Sequence, residues 1–354
     1  MIAAMNILQR IFLPWSHDSL LYEVTPRCNL KCLHCYNVWK DNVDYPQQEL
    51  STDQSVRLIK KAVKQSRCSQ FTFTGGEPAL RDDLEELISC AAQTCKHVTL
   101  ITNGTNLPTE RIKSLIDAGV SLFELPLNSS DRTMHNRMAG DIDCFDKVTR
   151  AAADIRHLGS ELAFVFVGTS VNIEHWKEAL ELGIALGARG FLFNRYNAGG
   201  ECHGQPQKLM PSIEQVRDGL AVAEDYARDY GIGIGASIAI PPCLIDPKDF
   251  PNVGFGFCAA GTDRAYYTID YVGNVRPCNH TPTIIGNLFE TSLKKIAKSD
   301  KLESFRQARP SFCSGCKIEE DCLGGCKAAA EVCYGSLEVC EPFLELNIKH
   351  ARKL

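Results

Sequence analysis

The stretch Thr25-Pro26-Arg27-Cys28-Asn29-Leu30-Lys31-Cys32-Leu33-His34-Cys35-Tyr36 follows directly on Leu20–Val24, a short apolar run that reads as a buried strand. Three cysteines separated by three and then two residues can wrap one loop around three corners of an iron–sulfur cube. A fourth cysteine would close that cube; without one, an iron stays free to bind a ligand, and an electron carrier becomes a catalyst. The position after a strand matters, because loops after strands line the active face of α/β barrels. A zinc loop is the competing reading. Zinc wants a fourth nearby ligand, and His34, between two cysteines, is badly placed to be it.

Outward from this loop, the chain to about residue 200 alternates between two periods. Apolar or β-rich runs recur at Gln70–Thr74, His97–Ile101, Ser121–Leu127, Leu162–Val167 and Gly190–Phe193. Amphipathic segments with helical spacing lie between them, at Asp53–Lys64, Leu84–Ala92, Glu110–Ala118 and Glu174–Leu186. Ser51 or Thr52 is placed to open the first helix and Gly119 to close the third. Strand–helix alternation repeated this often implies a parallel sheet, and the expected fold class is α/β, a partial (β/α)6 TIM-like barrel. The expected organisation is an N-terminal strap over 1–17, the barrel over 18–200 and a bridging region over 201–257. The bridge holds a helix near Ile213–Tyr230 and a strand around Ile232–Ile240. A small, cysteine-rich α+β domain follows over 258–345, with a hairpin turning at Gly273 and one helix near Ser292–Gln307; a tail covers 346–354.

The chain has 354 residues, a formal net charge of -5 and 17 cysteines. The charges are interspersed, so there is no basic footprint for nucleic acid and no polybasic patch for a membrane surface; neither partner is expected. No apolar run approaches the ~20 residues a membrane helix needs. The N-terminal segment lacks the basic region and cleavage site of an export signal, so a cytoplasmic protein is expected. The cysteines gather at short spacings near 28–35 and from 258 to 340. Clustering in a large chain without an export signal favours metal over disulfides.

The CxxxCxxC spacing, with Tyr36 after its last cysteine, resembles the signature of the radical S-adenosylmethionine (SAM) superfamily. Phe73-Thr74-Gly75-Gly76-Glu77-Pro78 resembles that family's motif for the methionine amino group of SAM. The resemblance implies that Cys28, Cys32 and Cys35 hold a [4Fe–4S] cluster whose free iron is chelated by SAM. It further implies reductive cleavage of SAM to methionine and a 5′-deoxyadenosyl radical that takes a substrate hydrogen atom. Tyr36, Gly75, Gly76, Glu77, Pro78 and Asn103 become candidate SAM contacts. After the fourth strand the family often shows serine then Leu-Asp-Gly; here Pro126 holds the serine place, and Asn128 or Ser130 is the substitute. His135 and Arg137 match the text that commonly follows. Ser170 and Asn172 close strand five, and Arg195 at the end of strand six could face SAM or substrate. No catalytic side chain is assigned.

The C-terminal cysteines resemble the SPASM extension of radical SAM enzymes, which binds two auxiliary [4Fe–4S] clusters. By that pattern Cys258, Cys278 and Cys326 hold auxiliary cluster I, and Cys313, Cys316, Cys322 and Cys340 hold auxiliary cluster II. Cys333 competes with Cys340. A fourth ligand for cluster I is missing, and Asp263, Asp270, Cys333 and Cys243 are the alternatives to an open iron. Cys68, Cys90, Cys95, Cys144 and Cys202, and Cys243 and Cys333 where they do not serve as ligands, are left as packing thiols. A zinc ribbon competes for CSGC…CLGGC. SPASM relatives include sulfatase-maturating, pyrroloquinoline quinone and mycofactocin maturases and haem-synthesis enzymes; CLGGCKAAA and Phe193-Asn194-Arg195 look most like the last two. The resemblance implies oxidative modification of a ribosomally made peptide or protein, with reduced flavodoxin or ferredoxin as electron donor and any leader-binding module a separate protein. Tailoring of a small molecule or tetrapyrrole is the alternative. A non-catalytic iron–sulfur carrier is the remote one, since a carrier needs neither an open site nor GGEP.

Overall fold

The computed structural model describes residues 19–40, 45–46, 48–199, 205–262 and 265–352. The strap expected over 1–17, Cys202 and Asp263 lie outside them. Six strands alternate with helices: β1 (Ser19–Glu23), β2 (Gln70–Thr74), β3 (His97–Ile101), β4 (Leu122–Pro126), β5 (Glu161–Gly168) and β6 (Gly190–Arg195). Each pairs in parallel with the next. Between them run α1 (Thr52–Ser66), α2 (Leu84–Ala92), α3 (Thr109–Ala118), α4 (Arg132–Ala139), α5 (Cys144–His157) and α6 (Trp176–Ala185). Ser51 opens α1 in a capping box with Gln54, satisfying two otherwise orphaned backbone donors.

Side chains alternate across each strand. Phe71 and Phe73, Phe123 and Leu125, Phe164 and Phe166, and Phe191 and Phe193 join the core between sheet and helices. Trp176 packs there, 5.1 Å from both Phe166 and Phe193. The intervening residues, among them Thr72, Thr74, Thr99, Glu124, Val165 and Asn194, therefore face the lumen.

The sheet is longer than six strands. α7 (Ile213–Tyr230) leads to β7 (Gly233–Ala236), which pairs in parallel with β6, and β8 (Val253–Phe255) pairs in parallel with β7. β8 does not reach β1, so the barrel stays open. At the other edge, β9 (Tyr267–Ile269) pairs in parallel with β1, and β10 (Asn274–Arg276) and β11 (Gly286–Asn287) follow antiparallel. Gly273, at φ +88°, makes the β9–β10 turn in a backbone region that glycine adopts readily. The cysteine-rich segment is thus hydrogen-bonded into the barrel sheet, and all eleven strands form one sheet. The single helix expected over Ser292–Gln307 is two, α8 (Leu293–Ile296) and α9 (Asp300–Gln307), because Ser299 caps the second. Three short helices close the chain: α10 (Glu319–Cys322), α11 (Lys327–Tyr334) and α12 (Pro342–Leu346).

Two buried ion pairs tie barrel strands to later segments. Glu23, at the end of β1, pairs with Arg276 of β10 and accepts a bond from Trp39 Nε1 at 3.0 Å. Arg195, at the end of β6, meets Glu341 at 2.5 Å, and its guanidinium lies 4.8 Å from the Phe343 ring centre.

Candidate functional site

The Cys28–Cys35 loop is seated by backbone. Gly76 N–H donates to Thr25 O and Glu77 N–H to Arg27 O, both at 2.8 Å. A Cβ on Gly76 would lie 2.1 Å from Arg27 O, and one on Gly75 would lie 2.6 Å from Thr25 O. The close approach these glycines permit is therefore made by the chain's own lead-in to the cysteines. Asn37 Nδ2 adds a bond to Gly75 O at 3.1 Å, and Leu33 N–H one to Met138 O at 3.0 Å.

All described cysteines are free. Burial pushes the Cys28 and Cys32 thiols up, and Cys35 adds to both shifts by charge. Burial also pushes His34 down to about 4, and its buried Nδ1 has no partner. The Tyr36 ring packs against His280, two residues beyond Cys278, with centroids 4.3 Å apart and the planes tilted by 36°. Its hydroxyl bonds to Asn279 and Thr74.

The structure places the other candidates as follows. Glu77 is fully buried, and its carboxylate accepts from Thr102 Oγ1 and Asn103 N–H at 2.6 Å and from Ala79 N–H at 2.9 Å. Burial holds its carboxyl above the ordinary range despite those bonds. Pro78 starts the short turn after it. Asn103 Nδ2 reaches Asn29 in the cysteine loop at 2.9 Å. Asn128 and Asn172 are buried and bonded to each other, Asn172 Nδ2 donating to Asn128 O at 2.9 Å; Ser130 is half-buried nearby. Ser170 points outward and bonds Lys208 O at 3.2 Å. Arg195 is spent on Glu341, Ala239 O and Tyr196 O rather than facing an open site.

The later cysteines fall into two groups. Cys278 is coupled by charge to Cys258, and Cys326 to Cys278; all three act on the buried Tyr266. Cys313 is coupled to Cys322, Cys340 and Cys316. Cys333 and Cys340 both feel Glu341 and Glu345, and Cys340 also acts on Cys313. Cys243 stands with Cys322, Cys313 and Cys316, hence beside the second group and not the first. Asp270 is consumed by its turn, accepting from Val272 and Asn274 N–H at 3.0 and 2.9 Å and also bonding Tyr45. Lys327, after Cys326, is buried and donates to Phe305 O and Arg306 O at 2.8 and 2.6 Å. Among the described residues no three His, Cys, Asp or Glu side chains grip a single ion. Groups of thiols free of disulfides suit iron–sulfur clusters, which bind them as thiolates.

Residues 22–183 match the family model of the radical SAM superfamily, and residues 258–317 match that of SPASM, an iron-sulfur cluster-binding domain. This chain is a radical SAM enzyme with a SPASM domain. Two relatives, each named PqqA peptide cyclase, come from Rhodopseudomonas palustris and Granulibacter bethesdensis. They are 27% and 28% identical to the enzyme, and each comparison covers 94% of this chain and 88% of the relative. Similar solved structures include Streptococcus suis SuiB bound to precursor peptide SuiA, with a TM-score of 0.72 at 17% identity, covering 94% of this chain and 76% of that one. Another is anSMEcpe with bound AdoMet, with a TM-score of 0.71 at 19% identity, covering 94% and 95%. These two likenesses establish the fold.

The enzyme's radical SAM domain binds a [4Fe–4S] cluster and SAM, and its SPASM domain binds iron–sulfur clusters. No described helix is long and apolar enough to cross a membrane. Sequence reading missed Glu23, Arg81 and Glu124. Arg81 is buried and donates to Val24 O and Leu50 O at 3.0 and 3.2 Å, bracing the start of the cysteine loop. The signal for Glu23 and Glu124 was visible: a lone carboxylate inside an apolar strand.

Proposed function

We propose that the enzyme removes hydrogen from a ribosomally made peptide or protein, with oxidative formation of a new bond. The observation that carries this is the end-to-end match to two PqqA peptide cyclases, across barrel and C-terminal segment alike. Peptide-bound SuiB and anSMEcpe on the same fold support it. When bound at Cys28, Cys32 and Cys35, the cluster supplies the electron that splits SAM into methionine and a hydrogen-abstracting radical.

The chain's own residues hold and shield. Gly75 and Gly76 seat the cysteine loop, and Glu77 locks the ends of β2 and β3 together beneath it. The lumen presents Thr72, Thr99 and Val165, neutral side chains that form a lining around a reactive radical. The groups Cys258/Cys278/Cys326 and Cys313/Cys316/Cys322/Cys340 would hold two auxiliary clusters, which would supply an acceptor for the electron left on the substrate. Tyr36 on His280 joins the two cysteine regions. A reduced flavodoxin or ferredoxin supplies electrons, and the setting is the cytoplasm.

The test incubates anaerobically reconstituted, reduced enzyme and SAM with peptides encoded beside its gene. Loss of two hydrogens from one peptide, with 5′-deoxyadenosine formed, is the expected result. If no peptide changes mass while a tetrapyrrole or other small molecule does, the peptide reading is wrong.

A further inference from the structure

Glu124 sits in the middle of β4, flanked by Phe123 and Leu125, whose side chains belong to the core outside the sheet. Alternation along the strand turns the Glu124 carboxylate inward, to the lumen. The residue is 8% exposed. Its cross-strand neighbours are Ile101 on β3 and Ala163 on β5, neither of which can donate a side-chain hydrogen bond. Among the described residues nothing bonds or pairs with its carboxylate, whose oxygens are left to the lumen. By contrast, two further lumen-side carboxylates of the strands have cationic partners: Glu23 is engaged by Arg276 and Trp39, and Glu161, at the start of β5, lies 3.9 Å from Arg156. The remaining lumen-facing residues of β2, β3, β5 and β6 named above carry no charge.

Glu124 also lies next to the cofactor end of the barrel. Its carbonyl accepts the Thr102 N–H at 3.1 Å, and the Thr102 hydroxyl is bonded to Glu77 beside the Gly75–Gly76 seat. A carboxylate at this depth faces whatever enters the lumen beneath the cysteine loop.

We propose that Glu124 is the general base of the reaction, taking the proton that leaves the substrate carbon framework when the substrate radical is oxidised. This rests on the oxidative reading of the function. In balanced form, the 5′-deoxyadenosyl radical takes one hydrogen atom from a substrate C–H. The substrate radical then gives one electron to an auxiliary iron–sulfur cluster and one proton to the Glu124 carboxylate as the new bond forms. The carboxylate becomes a carboxylic acid, and the electron and proton leave to the donor chain and solvent between turnovers. Burial, with no charged neighbour contributing, raises the Glu124 carboxyl to about 7, close to the pH at which a base that must also be regenerated works best.

The experiment compares wild type, Glu124→Gln and Glu124→Asp as fully reconstituted holoenzymes. In Glu124→Gln, iron content, SAM binding and 5′-deoxyadenosine formation stay at wild-type levels. Oxidised product per 5′-deoxyadenosine falls by about 100-fold or more, and Glu124→Asp recovers part of it. Wild-type product formation rises with pH through about 7, and the rise is absent in Glu124→Gln. Equal product yield and an unchanged pH profile in Glu124→Gln overturn the proposal. So does loss of SAM binding with product, which would make Glu124 a cofactor contact. One arm needs no substrate: the infrared spectrum of wild-type holoenzyme shows a carboxylic-acid C=O band that titrates near neutrality and vanishes in Glu124→Gln. If that band is missing, the proposal fails whether or not a peptide substrate is found. If the band is present and no peptide reacts, only the substrate assignment falls.

Discussion

The two cysteine regions are built by opposite means. The first is local: three thiols within eight residues, seated on Gly75 and Gly76 by backbone bonds from the neighbouring strand end. The second is assembled from far apart, with thiols drawn from 258 to 340 and Cys243 from the bridge alongside them. It is joined to the barrel by the β1–β9 pairing and by Glu23–Arg276 and Arg195–Glu341. A local seat makes a site that needs only its own strand ends. A distributed one makes a site that exists only when the whole sheet is in place.

The comparison can be broken first at the thiols. Replacing Cys28, Cys32 and Cys35 together by alanine should abolish 5′-deoxyadenosine formation and remove about four irons per chain, leaving C-terminal iron in place. Loss of all iron would show that the regions do not load independently. Next, Glu341→Ala leaves Arg195 buried without its partner and should cost about 3–5 kcal/mol, read by denaturant unfolding. Arg195→Met with Glu341→Leu should recover most of that, because it removes both charges from the interior. Third, Gly76→Ala drives a methyl group into the Arg27 carbonyl. We expect about 1–3 kcal/mol of destabilisation and loss of the first cluster's visible absorbance, with the C-terminal clusters retained. The smallest effect is at the rim of the second group. Cys340→Ser should keep most C-terminal iron, because Cys243 stands beside Cys322, Cys313 and Cys316. Cys243→Ser with Cys340→Ser should lose about four irons. Equal loss in the single Cys340 variant would show that Cys243 cannot substitute.

The same contrast explains what the sequence made legible. The six barrel strands, α2 and α7 stand where their periodicity put them, because each is decided within one short window by burial on one face. β8 escaped notice: Val253-Gly254-Phe255 is too short to show a period, and only the open edge of β7 makes it a strand. The β1–β9 pairing was also invisible, since no residue in either strand marks a partner so distant in sequence. At the site, the cysteine spacing and GGEP named the right neighbourhood, yet composition could not say that the glycines meet the chain's own carbonyls. Arg195 reads as a polar residue at a strand end, where ligand contacts are usual. Its partner Glu341 comes 146 residues later, and only the fold reveals it.

The pairing of β1 with β9 bears on how the chain is made. Leu20 finds its partner Tyr267 only after 247 further residues have been synthesised. At about 5–20 residues per second, one side of β1 stays uncovered on the ribosome for roughly 10–50 s. Through that interval the strand that carries the Cys28 loop offers bare amides and carbonyls to any passing chain. The nascent polypeptide is therefore more open to pairing with other chains, and gains more from a chaperone, than a barrel closed by its own successive strands. The three thiols of the N-terminal loop emerge with a head start of the same length over completion of the sheet.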